Sequence, residues 1–206
     1  MLVFAEQSLA FIAVPKTGTT AIEMALKHRA DIVFTKRFKH MPASRFHARV
    51  APFLDGAFGL RPDRVAVMRE PEEQIRSWYR YRCRSERRGS EFSTHGVSFD
   101  AFVRAVISQT PPPYAGIGSQ YRMLTSGEGR LLVHHLFAYE KPLQFRAFLD
   151  DRFGEEIVLK QRNVSPPADA PLDPNTRALL RAARAEEFDL YDRLTAAGGH
   201  LRTKID

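Results

Sequence analysis

Six residues, Pro15–Thr20 (PKTGTT), follow a short apolar run and combine one lysine, one glycine and three threonines. Where a chain leaves a buried strand and enters a helix, unpaired backbone N–H groups and the helix dipole favour an anion. Gly18 permits close approach of the backbone to a ligand, Lys16 adds positive charge, and the threonines supply hydroxyl groups. The segment is therefore predicted to bind phosphate or sulfate through Pro15, Lys16, Thr17, Gly18, Thr19 and Thr20.

The order of residues in this segment excludes the commonest phosphate-binding loop. That loop ends in Gly-Lys-Ser/Thr and places its hydroxyl on Mg²⁺, whereas here Lys16 precedes Gly18. This order argues against an ordinary kinase or GTPase. A threonine-rich helix cap without a ligand is the alternative interpretation.

A second candidate phosphate site follows the apolar run Arg64–Met68. Arg69 ends that run, Pro71 is suited to the first turn of a helix, and Ser77 lies eight residues after the arginine. A guanidinium at a strand end and a hydroxyl in the following helix can converge on one phosphate. The alternatives are a surface charge at a strand end and a serine without a ligand.

Together these two motifs resemble those of the sulfotransferases. Pro15–Thr20 is similar to their 5′-phosphosulfate loop, and Arg69 and Ser77 match the positions that hold the 3′-phosphate of the donor. Looser similarity at Tyr139–Pro142 and Asn163–Ser165 extends the resemblance over most of the chain. Among the sulfotransferases, the sequence most resembles the carbohydrate-modifying branch.

This resemblance implies a P-loop-like nucleotide-binding core and a donor, 3′-phosphoadenosine 5′-phosphosulfate. It also implies transfer of the sulfuryl group to an acceptor hydroxyl on a saccharide or glycoconjugate, with adenosine 3′,5′-bisphosphate as the product. Members of this branch in secretory compartments usually carry a membrane anchor, and the sequence shows none, so the location and the natural acceptor stay open.

Two residues are predicted to take part in catalysis. Lys16 is expected to neutralise the bridging oxygen as charge develops on the leaving group. His40 lies between the two motifs, where related carbohydrate sulfotransferases place a catalytic histidine, and imidazole can accept a hydroxyl proton near neutral pH. His47 and Glu70 remain rival bases.

Arginines recur every fourth residue after the second motif, and they would form one basic stripe if the helix from Pro71 continued that far. Arg80 and Arg84 are the predicted contacts for an anionic acceptor. A solvated helix face is an equally open interpretation. The repeating arginines are Arg76, Arg80, Arg84 and Arg88.

Apolar runs alternate with helical patterns, which predicts an α/β fold: a three-layer parallel sheet flanked by helices, in one domain spanning 1–206. The expected strands are Ser8–Val14, Arg64–Met68, Arg130–His135 and a short one at Val158 and Leu159. The expected helices are Thr20–His28, one from Pro71, Phe99–Ile107, Pro142–Phe153 closed by Gly154, and Pro174–Leu194.

Composition narrows the class of partner. The net charge of +7 predicts an anionic partner. One cysteine, Cys83, excludes an internal disulfide, and no signal peptide or membrane span is evident, so a cytoplasmic protein is expected. No metal is expected, because His134 and His135 would face opposite sides of a strand and no other ligand cluster is evident.

Three other functions remain open. A phosphotransferase with a variant nucleotide loop would prefer ATP with Mg²⁺ over a 3′-phosphorylated nucleotide. A nucleic-acid-binding module would explain the basic charge, although no zinc, RNA-recognition or helix-turn-helix signature is present. An inactive relative that still binds the nucleotide is the third alternative.

Overall fold

A six-stranded sheet lies at the centre of the computed structural model, which describes residues 1–160 and 170–205. Its strands are short, as the brief apolar runs of the sequence require. Along the sheet the order is β3-β1-β2-β4-β5-β6. The strands are β1 (Leu2–Phe4), β2 (Leu9–Ile12), β3 (Ile32–Val33), β4 (Asp63–Met68), β5 (His135–Ala138) and β6 (His200–Arg202).

The sheet is mixed, so the prediction of a parallel sheet is correct only for its centre. β4 pairs in parallel with β2 and with β5, and helices connect these strands, as parallel neighbours require. The outer strands β1, β3 and β6 pair antiparallel. β1 and β2 are joined by only four residues, 5–8, too few for a crossover.

Helices cover both faces of the sheet, which gives the three layers expected from the sequence. One face packs against α1 and α7, and the other against the α2–α3 region, α6 and α9. The helices are α1 (Thr19–Leu26), α2 (Ala43–Arg45), α3 (Ala51–Phe58), α4 (Pro71–Arg82), α5 (Phe99–Val106), α6 (Gln120–Leu124), α7 (Pro142–Phe153), α8 (Pro174–Ala183) and α9 (Ala185–Ala196).

Alternation along the central strands divides their side chains between the two layers. Phe11 packs toward α1 and α7, whereas the next residue, Ile12, packs toward α9. A third apolar cluster lies between α4, α5 and α8 and fixes the position of α4. Among the described residues, no helix is both long and apolar enough to cross a membrane.

Three predicted elements differ from the structure. The third strand is His135–Ala138 rather than Arg130–His135, because the register pairs His135 with Val65, and Leu131 makes only an isolated bridge. Residues 158–159 form no strand. The long final helix is two helices, broken at Arg184, where φ is −122° and ψ is 28°.

Other predicted elements are confirmed within a few residues. β2 and β4 are almost completely buried strands. α4 begins at Pro71. α7 ends at Phe153 and is followed by Gly154, whose φ of 70° suits the residue after a helix. The predicted motif Asn163–Ser165 lies outside the described residues.

Candidate functional site

Three parallel strands end side by side, and each delivers residues of the candidate site. β2 leads into Pro15–Thr20, β4 into Arg69, and β5 into Tyr139, whose N–H donates to the carbonyl of Met68 at 2.8 Å. Ligands of open α/β sheets bind outside the carboxyl ends of such strands. We call this region the carboxyl edge.

The loop after β2 contains two residues with left-handed backbone. Lys16 has a φ of 68°, a costly conformation for a residue with a side chain, and Gly18 has a φ of 77°. A Cβ atom at Gly18 would lie 3.4 Å from the ring of Tyr139, so the loop fits closely against β5. Gly18 precedes α1 and provides no side-chain cap. The Ala21 N–H donates to the Gly18 carbonyl at 3.0 Å, so the N–H groups of Thr19 and Thr20 are the first-turn donors that suit an anion.

The loop threonines have different roles. The hydroxyl of Thr17 donates to the carbonyl of Val14 at 2.8 Å, so this side chain braces the turn. Thr19 is buried, and Thr20 is half-buried on the first turn of α1. Pro15 accepts a hydrogen bond from Gln74 through its carbonyl, at 3.3 Å.

One face of α4 lies along the loop. Gln74 contacts Pro15, and the Lys16 Nζ atom lies 5.2 Å from the ring centre of Trp78 and 3.8 Å from that of Tyr81. Residues 74, 78 and 81 follow helical spacing, and Ser77 falls on the same face between them. The structure therefore brings Ser77 to the side of α4 that faces the loop.

Positive charge accumulates around Lys16. Burial, followed by the charges of Arg84, Arg69, Arg87 and Arg82, lowers the pKa of Lys16 from 10.5 to about 7. A lysine in these surroundings is readily stabilised in its charged form by a bound anion.

Arg69 is held in place at both its backbone and its side chain. The side-chain amide of Gln120 accepts from the Arg69 N–H at 3.0 Å and donates to the Arg69 carbonyl at 2.9 Å. The guanidinium lies 4.7 Å above the Tyr139 ring and 3.5 Å from Glu73. Its buried Nε atom has no hydrogen-bond partner among the described residues, so this donor is available to a ligand.

A buried carboxylate fixes Gln120. Glu187 accepts from the Gln120 N–H at 3.2 Å, from its side-chain amide at 3.3 Å and from the Ser119 hydroxyl at 2.6 Å. Arg184 forms an ion pair with the same carboxylate at 3.2 Å. Ser119, Arg184 and Glu187 also line a cleft of about 430 Å³ beside α6.

His40 lies directly beneath the loop. Its Nδ1 atom is 2.7 Å from the carbonyl of Ala13, and because a carbonyl only accepts, the proton belongs on Nδ1 and Nε2 is left as the acceptor. Burial lowers the pKa of His40, which keeps the ring neutral at pH 7. The preceding Lys39 forms an ion pair with Glu23 of α1 at 2.7 Å. Nε2 is therefore the nitrogen of His40 that can accept a proton.

The two rival bases are placed differently. His47 contacts Arg64 at 3.1 Å, at the start of β4. Four to five residues of strand, about 15 Å, separate that position from Arg69. Glu70 lies at the carboxyl edge, but its carboxylate caps α4 by accepting from the Glu73 N–H at 2.7 Å, and burial raises its pKa.

The regular arginine stripe predicted from the sequence is not formed. α4 ends at Arg82, so Arg84 and Arg88 follow it in a separate turn. Arg76 faces away from the loop, bound to Glu72, Glu73 and the carbonyl of Ala170. Arg80 is half-buried on α4, whereas Arg84 approaches the Tyr81 ring at 5.3 Å.

Five residues of the site were not identified by sequence reasoning: Gln74, Trp78, Tyr81, Gln120 and Tyr139 as a packing partner. The helical spacing of residues 74, 78 and 81 was a signal that three side chains share one face. Gln120 and Tyr139 had no such signal, because only the sheet and α6 bring them beside Arg69.

Within the described residues, no group of three His, Cys, Asp or Glu side chains is placed to hold a metal ion. The expectation of metal-independent chemistry stays a prediction. Comparisons with protein-family models, with curated proteins and with solved structures gave no match for this chain.

Proposed function

We propose that this chain is a sulfotransferase with a P-loop-like core, which uses 3′-phosphoadenosine 5′-phosphosulfate and an acceptor hydroxyl. The observation that carries the proposal is the arrangement around α4: Lys16 and Arg69 border one basic region at the carboxyl edge, and helical spacing puts Ser77 on the face of α4 that contacts the loop. These are the residues that resemble the two donor-binding motifs of sulfotransferases.

The residues present fit the charge distribution of this donor. The uncapped first turn of α1 and Lys16 suit the 5′-phosphosulfate end, whereas the unsatisfied Nε of Arg69 and the hydroxyl of Ser77 suit the 3′-phosphate. Gln120 and Tyr139 hold Arg69 before any ligand arrives, which reduces the entropy lost on binding.

In the proposed reaction a new bond joins the acceptor oxygen to sulfur, and the bond from sulfur to the bridging phosphate oxygen breaks. Nε2 of His40 accepts the proton of the acceptor hydroxyl, with the ring oriented by its bond to Ala13. The Lys16 ammonium lies where it can neutralise the negative charge left on the phosphate oxygen.

Ligand-dependent thermal stability tests the proposal. Adenosine 3′,5′-bisphosphate at 100 times its dissociation constant should stabilise the protein by about 2.7 kcal/mol, or roughly 5–10 °C. The shift should disappear in Arg69→Ala and persist in Arg61→Ala, a control arginine that is exposed and paired with Asp55.

A shift produced by ATP with Mg²⁺ but not by the bisphosphate would favour a phosphotransferase and overturn the proposal. A shift produced only by a short oligonucleotide would favour a nucleic-acid-binding module. If the bisphosphate binds but no acceptor is sulfated, the chain is an inactive relative that retains the nucleotide site.

A further inference from the structure

Three positive side chains surround a single aromatic ring next to the loop. The Tyr81 ring centre lies 3.8 Å from Lys16 Nζ, 4.4 Å from the guanidinium carbon of Arg87 and 5.3 Å from that of Arg84. Arg87 also donates to the Tyr81 hydroxyl at 2.5 Å. We call Tyr81, Arg84 and Arg87 the arginine turn.

No carboxylate compensates these charges in the part of the chain that the structure describes. Lys16, Arg84 and Arg87 take part in none of the ion pairs found across residues 1–160 and 170–205. The Tyr81 ring offsets only part of the repulsion, since a cation–π contact at a partly exposed position contributes about 1 kcal/mol. A bound anion would supply the counter-charge that these side chains lack.

The neighbouring Arg82 shows what a structural arginine looks like in this segment. It is buried, and its guanidinium donates to the carbonyls of Pro113 and Gly116 at 2.9 and 3.0 Å. Those bonds tie the end of α4 to the segment 113–116. Arg84 and Arg87 have no comparable bonds to carbonyl groups within residues 1–160 and 170–205. Apart from the Arg87 donor that binds the Tyr81 hydroxyl, their donors remain available to a ligand.

Position along α4 separates the arginine turn from the residues proposed to hold the 3′-phosphate. Arg69 precedes α4, the loop contacts α4 at Gln74, and Lys16 reaches Tyr81. The helix rises by about 10 Å from Gln74 to Tyr81, and by about 6 Å from Ser77 to Tyr81. The arginine turn therefore follows Ser77 by about one helical turn, at the end of α4 away from Arg69.

If the 3′-phosphate lies at Arg69 and the 5′ end at the loop, the C-terminal end of α4 faces the acceptor. We propose that the acceptor carries a carboxylate or sulfate group and that Arg84 and Arg87 bind this group while the hydroxyl is presented to His40. This inference rests on the proposed function, and it moves acceptor recognition from a stripe along α4 to the turn after it.

Binding of small saccharides tests this inference directly, because Trp78 is the only tryptophan of the chain and lies next to Lys16. With saturating adenosine 3′,5′-bisphosphate, Trp78 fluorescence is followed on addition of trigalacturonate, of its neutral methyl ester and of a heparin tetrasaccharide. We expect an acidic saccharide to bind at least tenfold more tightly than the neutral ester, since charge-assisted hydrogen bonds strengthen binding.

Single arginine replacements distinguish the effect of a local contact on saccharide affinity from the effect of net charge. Arg84→Gln and Arg87→Gln should each weaken binding of the acidic saccharide by about tenfold. Arg88→Gln removes the same charge from an exposed side chain one residue away and should change the affinity less than threefold. The affinity of Arg84→Gln and Arg87→Gln for the bisphosphate should stay within about threefold of that of the unmodified protein. Retained binding of the bisphosphate also shows that both variants are folded.

Several outcomes would overturn the inference. Equal affinity for charged and neutral saccharides, no binding of either acidic saccharide, or an effect of Arg88→Gln equal to that of Arg87→Gln would each do so. So would loss of bisphosphate binding in Arg84→Gln, which would assign the turn to the donor, or tighter binding of an oligonucleotide. Failure of the proposed function is distinguishable, because the unmodified protein would then not bind the bisphosphate at all.

Discussion

The two ends of the central strands carry similar residues, but they differ in whether the positive side chains have partners within the protein. At the carboxyl edge, Lys16 and the arginine turn converge without a carboxylate among the described residues. At the opposite end, which we call the amino edge, positive groups meet partners within the protein. This edge consists of Asp63, Arg64, His134, His135 and Arg152, together with His200, which pairs with Phe137 in the sheet and contacts His135 through its side chain.

At the amino edge each group has at least one partner among the described residues, although the buried Nε of Arg64 has none. Arg152 pairs with Asp63 at 2.9 Å, and the Arg64 N–H donates to His134 Nδ1 at 2.8 Å. His135 Nδ1 lies 3.0 Å from His200 Nε2, which joins β5 to β6. The His200 ring also stacks on Phe137, with ring centres 4.0 Å apart.

We use this difference to distinguish charged residues that stabilise the fold from charged residues that we propose to bind a ligand. Residue type alone does not separate the two edges, since arginine and histidine occur at both. What separates them is whether the described part of the protein supplies the counter-charge or the hydrogen-bond acceptor. Four predictions test this distinction, and they run from the largest expected effect to the smallest.

His40 and His47, which contacts Arg64 of the amino edge, should differ most in their effect on catalysis. His40→Ala should lower the proposed sulfuryl transfer by roughly 10²–10⁴-fold, because it removes the proposed proton acceptor, and should leave bisphosphate affinity nearly unchanged. His47→Ala removes a histidine beside Arg64 and should leave turnover within about threefold. Steady-state kinetics on both variants measure this. Equal losses would end the assignment of His40 as the base.

Loss of the buried carboxylate that supports Arg69 should be the largest effect on stability. Glu187→Ala leaves Arg184, Ser119 and Gln120 without their shared acceptor and should lower the free energy of unfolding by about 3 kcal/mol. Glu186→Ala, at the adjacent exposed position, should change it by less than about 0.5 kcal/mol. Urea unfolding of the two variants gives the comparison, and similar values would refute the role of Glu187.

Lys16 should make nucleotide binding sensitive to alkaline pH. Its pKa of about 7 in the free protein means that an anion binding the ammonium takes up a proton above pH 7. Affinity for the bisphosphate should then fall by up to about tenfold for each pH unit between 7 and 9.

The variant Lys16→Arg supplies the control for this pH dependence. Arginine stays charged throughout the range, so the affinity of Lys16→Arg should hardly change with pH. Calorimetric titration in buffers of different ionisation enthalpy measures the proton uptake. A flat profile for the unmodified protein would contradict the prediction.

The amino edge should lose stability in mild acid. Burial, followed by the charges of His135 and Arg202, lowers the pKa of His200 from 6.5 to about 4, and burial lowers the pKa values of His134 and His135. The unfolded chain therefore binds more protons than the folded protein between these values. Stability is complete above pH 6.5 and is lost as the pH falls toward 4.

The expected loss through His200 is about 1 kcal/mol, since solvent screens a partly exposed ring. The carboxylate of Asp63 lies 3.9 Å from His135 and favours protonation of that ring. Protonation of His200 as well would break the hydrogen bond between the two histidines. His200→Gln should flatten the acid limb of a thermal-unfolding series between pH 7 and 4. His95→Gln, at an exposed position, should leave the limb unchanged.

Sequence patterns predicted the strands and helices that are defined by local signals. Apolar runs predicted β2 and β4, and proline and glycine marked the start of α4 and the end of α7. The outer strands β1, β3 and β6 were not predicted, because two or three residues carry little periodicity and their partners are distant in sequence. Leu131–Val133 are buried like a strand, and only pairing with β4 shows that the strand begins later.

The candidate site shows the same division. Lys16, Arg69, Ser77 and His40 follow from motif and resemblance, since a strand-turn-helix sequence defines where a phosphate loop lies. The arginine turn does not follow, because four-residue spacing predicts a stripe only while the helix continues, and α4 ends at Arg82. Thr94, which is distant in sequence, caps the C-terminal end of α4. Its N–H donates to the Arg82 carbonyl, and its hydroxyl donates to the Tyr79 carbonyl.

The sequence by itself therefore determined the chemistry that is available: a basic chain, a lysine- and glycine-containing loop, and an arginine placed eight residues before a serine. Tertiary structure alone decided which charges meet a partner. Pairing of β2, β4 and β5 sets three strand ends side by side, and packing of α4 along the loop directs Lys16 toward Tyr81. Local patterns fix backbone conformation over a few residues, whereas charge compensation depends on groups that only the folded chain brings within a few ångströms.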